Sequence, residues 1–323
     1  MTRARPRRRA PRRAPPGYPR DLVGYGKTPP DPKWPGGARL ALQIVMNYEE
    51  GGERSILHGD REAEAFLGEV VGMAPLRGVR NLQIESMYEY GTRAGFWRLM
   101  RLFGARGIPV SVFAVAMALA RHPEAAAAIV EAGHEVVSHG WRWIDYQFVS
   151  EKIERDHVRR AVETLTRVTG QRPLGWYTGR LGPNTRRLVV EEGGFLYDAD
   201  AYDDDLPYWT LVDDTPHLVV PYTLDNNDMK FSLAGGFATG EEWLAHVRDA
   251  FDVLYAEGAE HPKMMSVGLH MRLIGRPGRA AALARFLDHV ERHDRVWVCR
   301  RVDIARHWRA HHPYRSPGGG RAR

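Results

Sequence analysis

The chain has 323 residues, 43% of them apolar, enough for one large domain with its own core, and it holds no apolar run of about 18 residues, which excludes a membrane-spanning helix. Its single cysteine, Cys299, excludes an internal disulfide and fits a reducing compartment. The net charge of +6 belongs to residues 1–20, which hold eight Arg and no acid, so the rest of the chain is close to neutral and offers no broad cationic face to nucleic acid.

Residues 1–20 are too rich in Arg and Pro to bury apolar surface and are expected to form a disordered tail, without the apolar stretch of a secretory signal. Residues 21–37 are rich in Pro and Gly and read as an irregular lead-in. Ala38 to Met46 predicts the first buried strand, residues 58–73 a helix, and Gly78 to Glu85 a strand. Phe96, Leu99, Met100 and Phe103 recur at helical spacing, and Gly104 and Gly107 mark that helix's end. Ile108 to Val115 is a strand. A helix opens at His122-Pro123 and stops at Gly133. Glu135 to Ser138 is a short strand, and Ser150 to Val168 a charged helix ended by Gly170. Pro173 to Tyr177 is a strand. Asn184 is expected to cap a helix running to Glu192. Phe195 to Asp200 and His217 to Leu224 are strands. A helix starts at Glu241, a strand covers Met264 to Leu269, and a helix spans 280–292. Val296 to Cys299 is the last strand and Asp303 to Ala310 the closing helix.

About seven alternations of strand and helix predict an α/β fold, a single distorted (β/α) barrel over residues 21–312, with 313–323 as a flexible tail. Neither GxGxxG nor GxxxxGK[ST] occurs, which removes the common nucleotide-binding versions of a parallel sheet.

In a β/α barrel the reactive groups sit where strands end. The first strand runs into Glu49 and Glu50, two adjacent carboxylates followed by two glycines. Adjacent buried carboxylates repel, which raises one pKa and suits acid/base work. The other strand ends carry His139, Arg180, Asp198 and Asp200, then Asp225 with Asn227 and Asp228, and His270. Each alone has a structural explanation, as a satisfied core histidine, a surface charge or a turn residue. Gathered on one rim, they would supply a base, an acid and an oxyanion stabiliser.

The order of these groups resembles the polysaccharide deacetylase-like (NodB-homology) superfamily. Asn47-Tyr48-Glu49-Glu50-Gly51 is similar to its T-F-D-D-G motif, with Glu for both Asp. Ser138-His139-Gly140-Trp141-Arg142-Trp143 is similar to its histidine motif, with Trp143 in place of the second histidine. Arg180 and Leu269-His270 match the later motifs, and Asp198 to Trp209 matches one loosely. Longer stretches, NYEEGGERSILHGD, SHGWRWIDYQ, GWYTGRLGPNTRRLVVEEGGFLYDAD and GLHMRLIGRPGR among them, resemble the metal-independent allantoinase branch over about residues 18–313.

The resemblance implies a cytoplasmic, homo-oligomeric hydrolase that opens the hydantoin ring of allantoin to allantoate in purine catabolism. Members that cleave N-acetyl sugars hold a divalent metal through one Asp and two His. Glu50, His139 and Trp143 stand at those positions here, and indole is not a metal ligand, so the resemblance implies loss of the metal and no cofactor. It also implies roles. Glu49 is the general base, and Glu50 positions the water or accepts a ring N–H. His139 and His270 share the acid and oxyanion roles in an order the sequence leaves open. Arg180 holds Glu49 ionised or binds a substrate carbonyl, and Trp143 fills the vacated metal space and stacks on the ring. Asn47, Asp225 and Asn227 read the ureido group, and Trp176 lines the pocket. The alternatives at this point are a metal-dependent deacetylase that recruits a third ligand, another cyclic amidase, and a non-catalytic binding protein.

Overall fold

The computed structural model describes residues 18–316. Most of the two expected tails, 1–17 and 317–323, therefore lies outside the described residues.

The first strand, β1 (Leu40–Tyr48), is buried along its whole length, as a strand covered on both faces must be. A two-stranded ribbon follows, β2 (Glu62–Ala63) with β3 (Leu76–Arg77), then helices α1 (Leu82–Tyr90) and α2 (Phe96–Arg106). The order continues β4 (Val110–Ala114), α3 (Ala116–Ala120), α4 (Pro123–Glu131), β5 (Glu135–Ser138), α5 (Glu151–Thr169), β6 (Gly175–Trp176), α6 (Thr185–Glu192) and β7 (Tyr197–Asp198). A hairpin, β8 (Tyr208–Val212) and β9 (Thr215–Val219), precedes α7 (Gly240–Glu257) and β10 (Lys263–His270). The chain closes with α8 (Pro277–Val290), β11 (Val296–Val298) and α9 (Arg301–His311).

The sheet order is β10-β1-β4-β5-β6-β7-β9-β8, with β11 beside the start of β1. Every pairing in it is parallel except the β8–β9 hairpin. The gap between β9 and β10 is bridged. Ser266 N donates to Thr223 Oγ1 at 3.0 Å, Thr223 N to Ser266 Oγ at 2.8 Å, and Met264 N to Asp205 O at 3.0 Å. This is the distorted barrel that the alternation of elements predicted. Side chains alternate across it: Leu40, Leu42, Ile44 and Met46 pack under the helices, while Ala41 and Val45 join Phe113, Val137, Tyr177, Tyr197 and Tyr222 in a second cluster.

Four expectations fail for local reasons. Residues 58–73 form no helix. Gly59, Gly68 and Gly72 interrupt the run, Leu67 takes a φ of 58°, and the segment lies as a strap held by side chains of the barrel rim. Gly78 to Glu85 is not a strand, because the Asn81 side chain accepts from Ile84 N at 3.2 Å and starts α1. The strand placed at His217 to Leu224 begins earlier and stops at Val219, and its hairpin partner β8 was not foreseen. Asn184 does precede α6, but its side chain takes Arg187 at 3.3 Å and caps nothing.

Candidate active site

The end of β1 delivers Glu49 onto the C-terminal rim, where β5 delivers His139 and β10 delivers His270. Parallel pairing of β1 with β10 puts Asn47 opposite His270, and pairing with β4 and β5 brings His139 alongside. One Glu49 oxygen, Oε1, faces His139 Nε2 at 3.2 Å and His270 Nε2 at 3.4 Å. The other, Oε2, accepts from Arg272 Nη2 at 2.7 Å. Glu50 Oε1 accepts from Arg272 Nη1 at 3.1 Å, and Glu50 Oε2 from Glu49 N at 3.1 Å. Gly91 passes so close to Glu50 that a Cβ there would collide with its carboxylate.

The electrostatics follow from burial and partners. Burial alone would push the Glu49 carboxyl up, but the positive charges of His270 and Arg272 and the bond from His139 outweigh it and hold the group well below the usual carboxylate range. Glu50 is pushed up by burial, opposed by Arg272 and reinforced by Glu49. Burial pulls His270 down, yet Glu49 and Asp228 together push it up to about 9. Asp228 is fully buried, and it accepts from His270 Nδ1 at 2.6 Å, His270 N at 2.7 Å and Ile274 N at 3.1 Å. It therefore fixes the imidazole with Nε2 toward Glu49. His139 spends Nε2 on Glu49 and leaves Nδ1 buried with no partner among the described residues. Tyr177 packs against its ring at 5.0 Å.

The structure therefore gathers Glu49, Glu50, His139 and His270. It separates several other residues from the roles expected of them. Arg180 does not reach Glu49: it pairs with Glu64 Oε2 at 3.2 Å and lies 3.9 Å over the Trp143 ring. Trp143 is near the carboxylates, one guanidinium away, with Arg272 5.3 Å from its ring. Its face is covered by Arg180, and Phe66 stacks at 6.2 Å, so it does not present a bare ring to a substrate. Trp176 points under the helices, where it meets Phe195 and donates to Thr178 Oγ1 at 2.7 Å; the next residue, Tyr177, is the one that faces the site. Asp225 is largely exposed and pairs with His246 at 3.7 Å. Asn227 caps a turn, accepting from Met229 N at 2.8 Å and donating to Tyr222 Oη at 3.0 Å. Asn47 donates to Leu269 O at 3.1 Å, tying β1 to β10. These amides are spent inside the protein.

Two residues of the cluster were missed, Arg272 and Asp228. Arg272 follows His270 by two positions in the noted stretch GLHMRLIGRPGR, but nothing local marks it out from the other two arginines there. Asp228 was visible among the strand-end acids but was passed over for its neighbours.

The donors at the family's metal positions do not suit a divalent ion. Trp143 offers no lone pair, and one oxygen each of Glu49 and Glu50 is directed at Arg272, already a buried cation. Among the described residues, the side chains spaced like a three-ligand cation site are Asp252, His289 and His293, which share no member with this cluster.

A base, an imidazolium held by a carboxylate and a fixed guanidinium on the rim of a parallel barrel are the groups an acid–base hydrolase needs, and the likeness to an allantoinase and to polysaccharide deacetylases makes the chain a hydrolase acting on C–N bonds other than peptide bonds. The chain belongs to the polysaccharide deacetylase family. The polysaccharide deacetylase model matches residues 80–193. A Schizosaccharomyces pombe relative assigned to the polysaccharide deacetylases is 43% identical over 92% of this chain and 99% of its own length. The crystal structure of PuuE allantoinase superposes with a TM-score of 0.91 and 63% identity over 92% of this chain and 99% of that one. A polysaccharide deacetylase-type protein of Pseudomonas aeruginosa PAO1 superposes with a TM-score of 0.90 and 62% identity, over 92% and 100%.

Proposed function

We propose that this protein is an allantoinase, opening the hydantoin ring of allantoin to allantoate by acid–base chemistry of its own side chains. The observation that carries the reading is the environment of Glu49. One oxygen faces two imidazoles and the other a guanidinium, in a chain 63% identical to PuuE allantoinase.

Glu49 takes a proton from water as the water oxygen bonds to the ring carbonyl carbon. Its cationic surroundings keep it ionised at neutral pH but lower its basicity. That loss is recovered as negative charge grows on the carbonyl oxygen and draws on the same cations. Ionised carboxylates only accept, so His139 Nε2 carries the hydrogen toward Glu49. Once Glu49 holds the proton, that N–H is free to turn to the oxyanion. The C–N bond then breaks, and His270 Nε2 gives its proton to the leaving nitrogen. The 3.4 Å contact returns the proton from Glu49 to His270. This assigns the acid to His270, because Asp228 keeps it charged, and the oxyanion donor to His139.

Glu49, Glu50, His139 and His270 are all nearly inaccessible, so substrate entry requires a local movement, for which the strap of residues 58–73, tied to Arg272 through Leu67 O, is the candidate segment. Arg180, at the rim on the Trp143 face, is placed to exchange Glu64 for a substrate carbonyl. No helix among the described residues is long and apolar enough to cross a membrane. The reading includes a cytoplasmic site of action, supported by the lone buried cysteine, and a homo-oligomer, supported by the likeness to the allantoinase branch.

The test is a substrate panel. Allantoin should be opened with a kcat/KM at least about 100-fold above that for N-acetylglucosamine oligomers, a margin set by polar groups left unpaired by the wrong substrate. Release of acetate from the oligomers with no turnover of allantoin would contradict the assignment.

A further inference from the structure

We propose that Arg272 is the resident cation of this site, a positioning residue that does for Glu49 and Glu50 what a bound divalent ion would otherwise do. The inference rests on the allantoinase reading for its assay, but its argument is geometric.

Two adjacent carboxylates, 2% and 6% exposed, sit at one strand end. Taking both out of water as anions is costly unless a cation is held between them. Arg272 is 1% exposed and spends three separate nitrogens in three directions: Nη2 on Glu49, Nη1 on Glu50, and Nε on Leu67 O at 3.1 Å. The Tyr88 ring lies 4.2 Å from its central carbon and covers one face. Four contacts fix both the position and the plane of the guanidinium, so it cannot rotate away from either carboxylate. A point charge on a flexible stem could not make this pattern.

The local fold explains why the residue two beyond His270 takes this place. After β10 the chain turns tightly, with Leu273 N and Ile274 N both bonded to His270 O, at 2.9 and 3.1 Å. Asp228 grips both ends of that turn through His270 N and Ile274 N. One turn thus aims His270 at Glu49 Oε1 and Arg272 at Glu49 Oε2. The acid and the cation are set by a single support.

The strap takes part as well. Leu67, in its left-handed conformation, is the residue whose carbonyl meets Arg272 Nε. That carbonyl completes the set of acceptors that orients the guanidinium.

The experiment compares Arg272→Ala and Arg272→Lys with the wild-type chain in the allantoin assay, with and without millimolar guanidinium ion, after circular dichroism has established folding. A group that only positions the base should show in kcat. The alanine variant should lose roughly 100-fold or more in kcat with KM changed by less than about threefold, as for loss of a fixed electrostatic partner. Guanidinium should restore the alanine variant by about tenfold, filling the hole left by the deleted group, and leave the wild type unchanged. The lysine variant keeps the charge but not the fork, and its kcat should stay at least about tenfold down. If alanine fails to fold, the lysine variant alone decides. A wild-type kcat in either folded variant, a loss confined to KM, or no rescue of folded Arg272→Ala by guanidinium would overturn the proposal. Failure of the wild type to open allantoin would instead count against the functional reading and leave this geometry to be tested on the correct substrate.

Discussion

Glu49→Gln should abolish most turnover of allantoin, with kcat falling by about 10³-fold, the range of a general base removed from its substrate. The amide matches the carboxylate in shape but cannot accept a proton from water. It also brings an NH2 group into a pocket whose other members, His139 Nε2 and Arg272 Nη2, are donors, so one bond is lost. The fold should survive, because Glu50 keeps its bond to Arg272 and Asp228 keeps His270. Steady-state kinetics beside a thermal melt check both parts. A folded Glu49→Gln variant with near-normal kcat would remove Glu49 from the mechanism.

Asp228→Asn should be nearly as damaging and is diagnostic in a different way. Asp228 is fully buried, touches no solvent, and reaches the chemistry only through His270. Asparagine cannot accept on both atoms, so it disrupts either the turn at His270 and Ile274 or the orientation of the ring. A loss of about 10²–10⁴-fold in kcat is expected, by the logic of a buried carboxylate that holds a catalytic imidazole. The pH profile gives the sign. His270 is raised to about 9, so a reaction needing the imidazolium runs fully below that pH and fails as pH rises through it. Glu49 is depressed, so its requirement for the ionised form is met throughout the neutral range. Wild-type kcat should therefore be flat near neutrality with an alkaline limb near 9. Removing the Asp228 charge should draw that limb down toward neutral pH. An unchanged limb would mean that His270 is not the titrating acid.

The rim was legible in the sequence where the signal was local. The apolar run of β1 ends in Glu49-Glu50, and the short run of β5 ends in His139, as β10 ends in His270. A continuous apolar run and a polar terminus suffice for that. What failed depends on single-residue parity or on distant partners. Trp176 and Tyr177 differ by one position, and in a strand that sends one outward under the helices and the other to His139. Asp225 and Asp228 share a run of acids and amides. A short turn decides that the first faces solvent and the second is sealed under His270. The resemblance set Arg180 beside Glu49, and residues 58–73 read as a helix. As a strap, that segment supplies Glu64 to Arg180 and the Leu67 carbonyl to Arg272. Family resemblance pointed to the loss of metal ligation at Trp143. It could not show which side chain holds the two carboxylates, since that depends on a contact across 222 residues.

The central claim is that ring opening runs on side chains alone. The direct measurement is allantoin turnover by the wild-type chain after exhaustive dialysis against a strong chelator, with the metal content of the same sample determined by elemental analysis. The account predicts full kcat at well under one metal per ten chains, roughly the level at which a bound ion could not sustain the rate. Activity that disappears with the metal and returns in proportion to added zinc would contradict it.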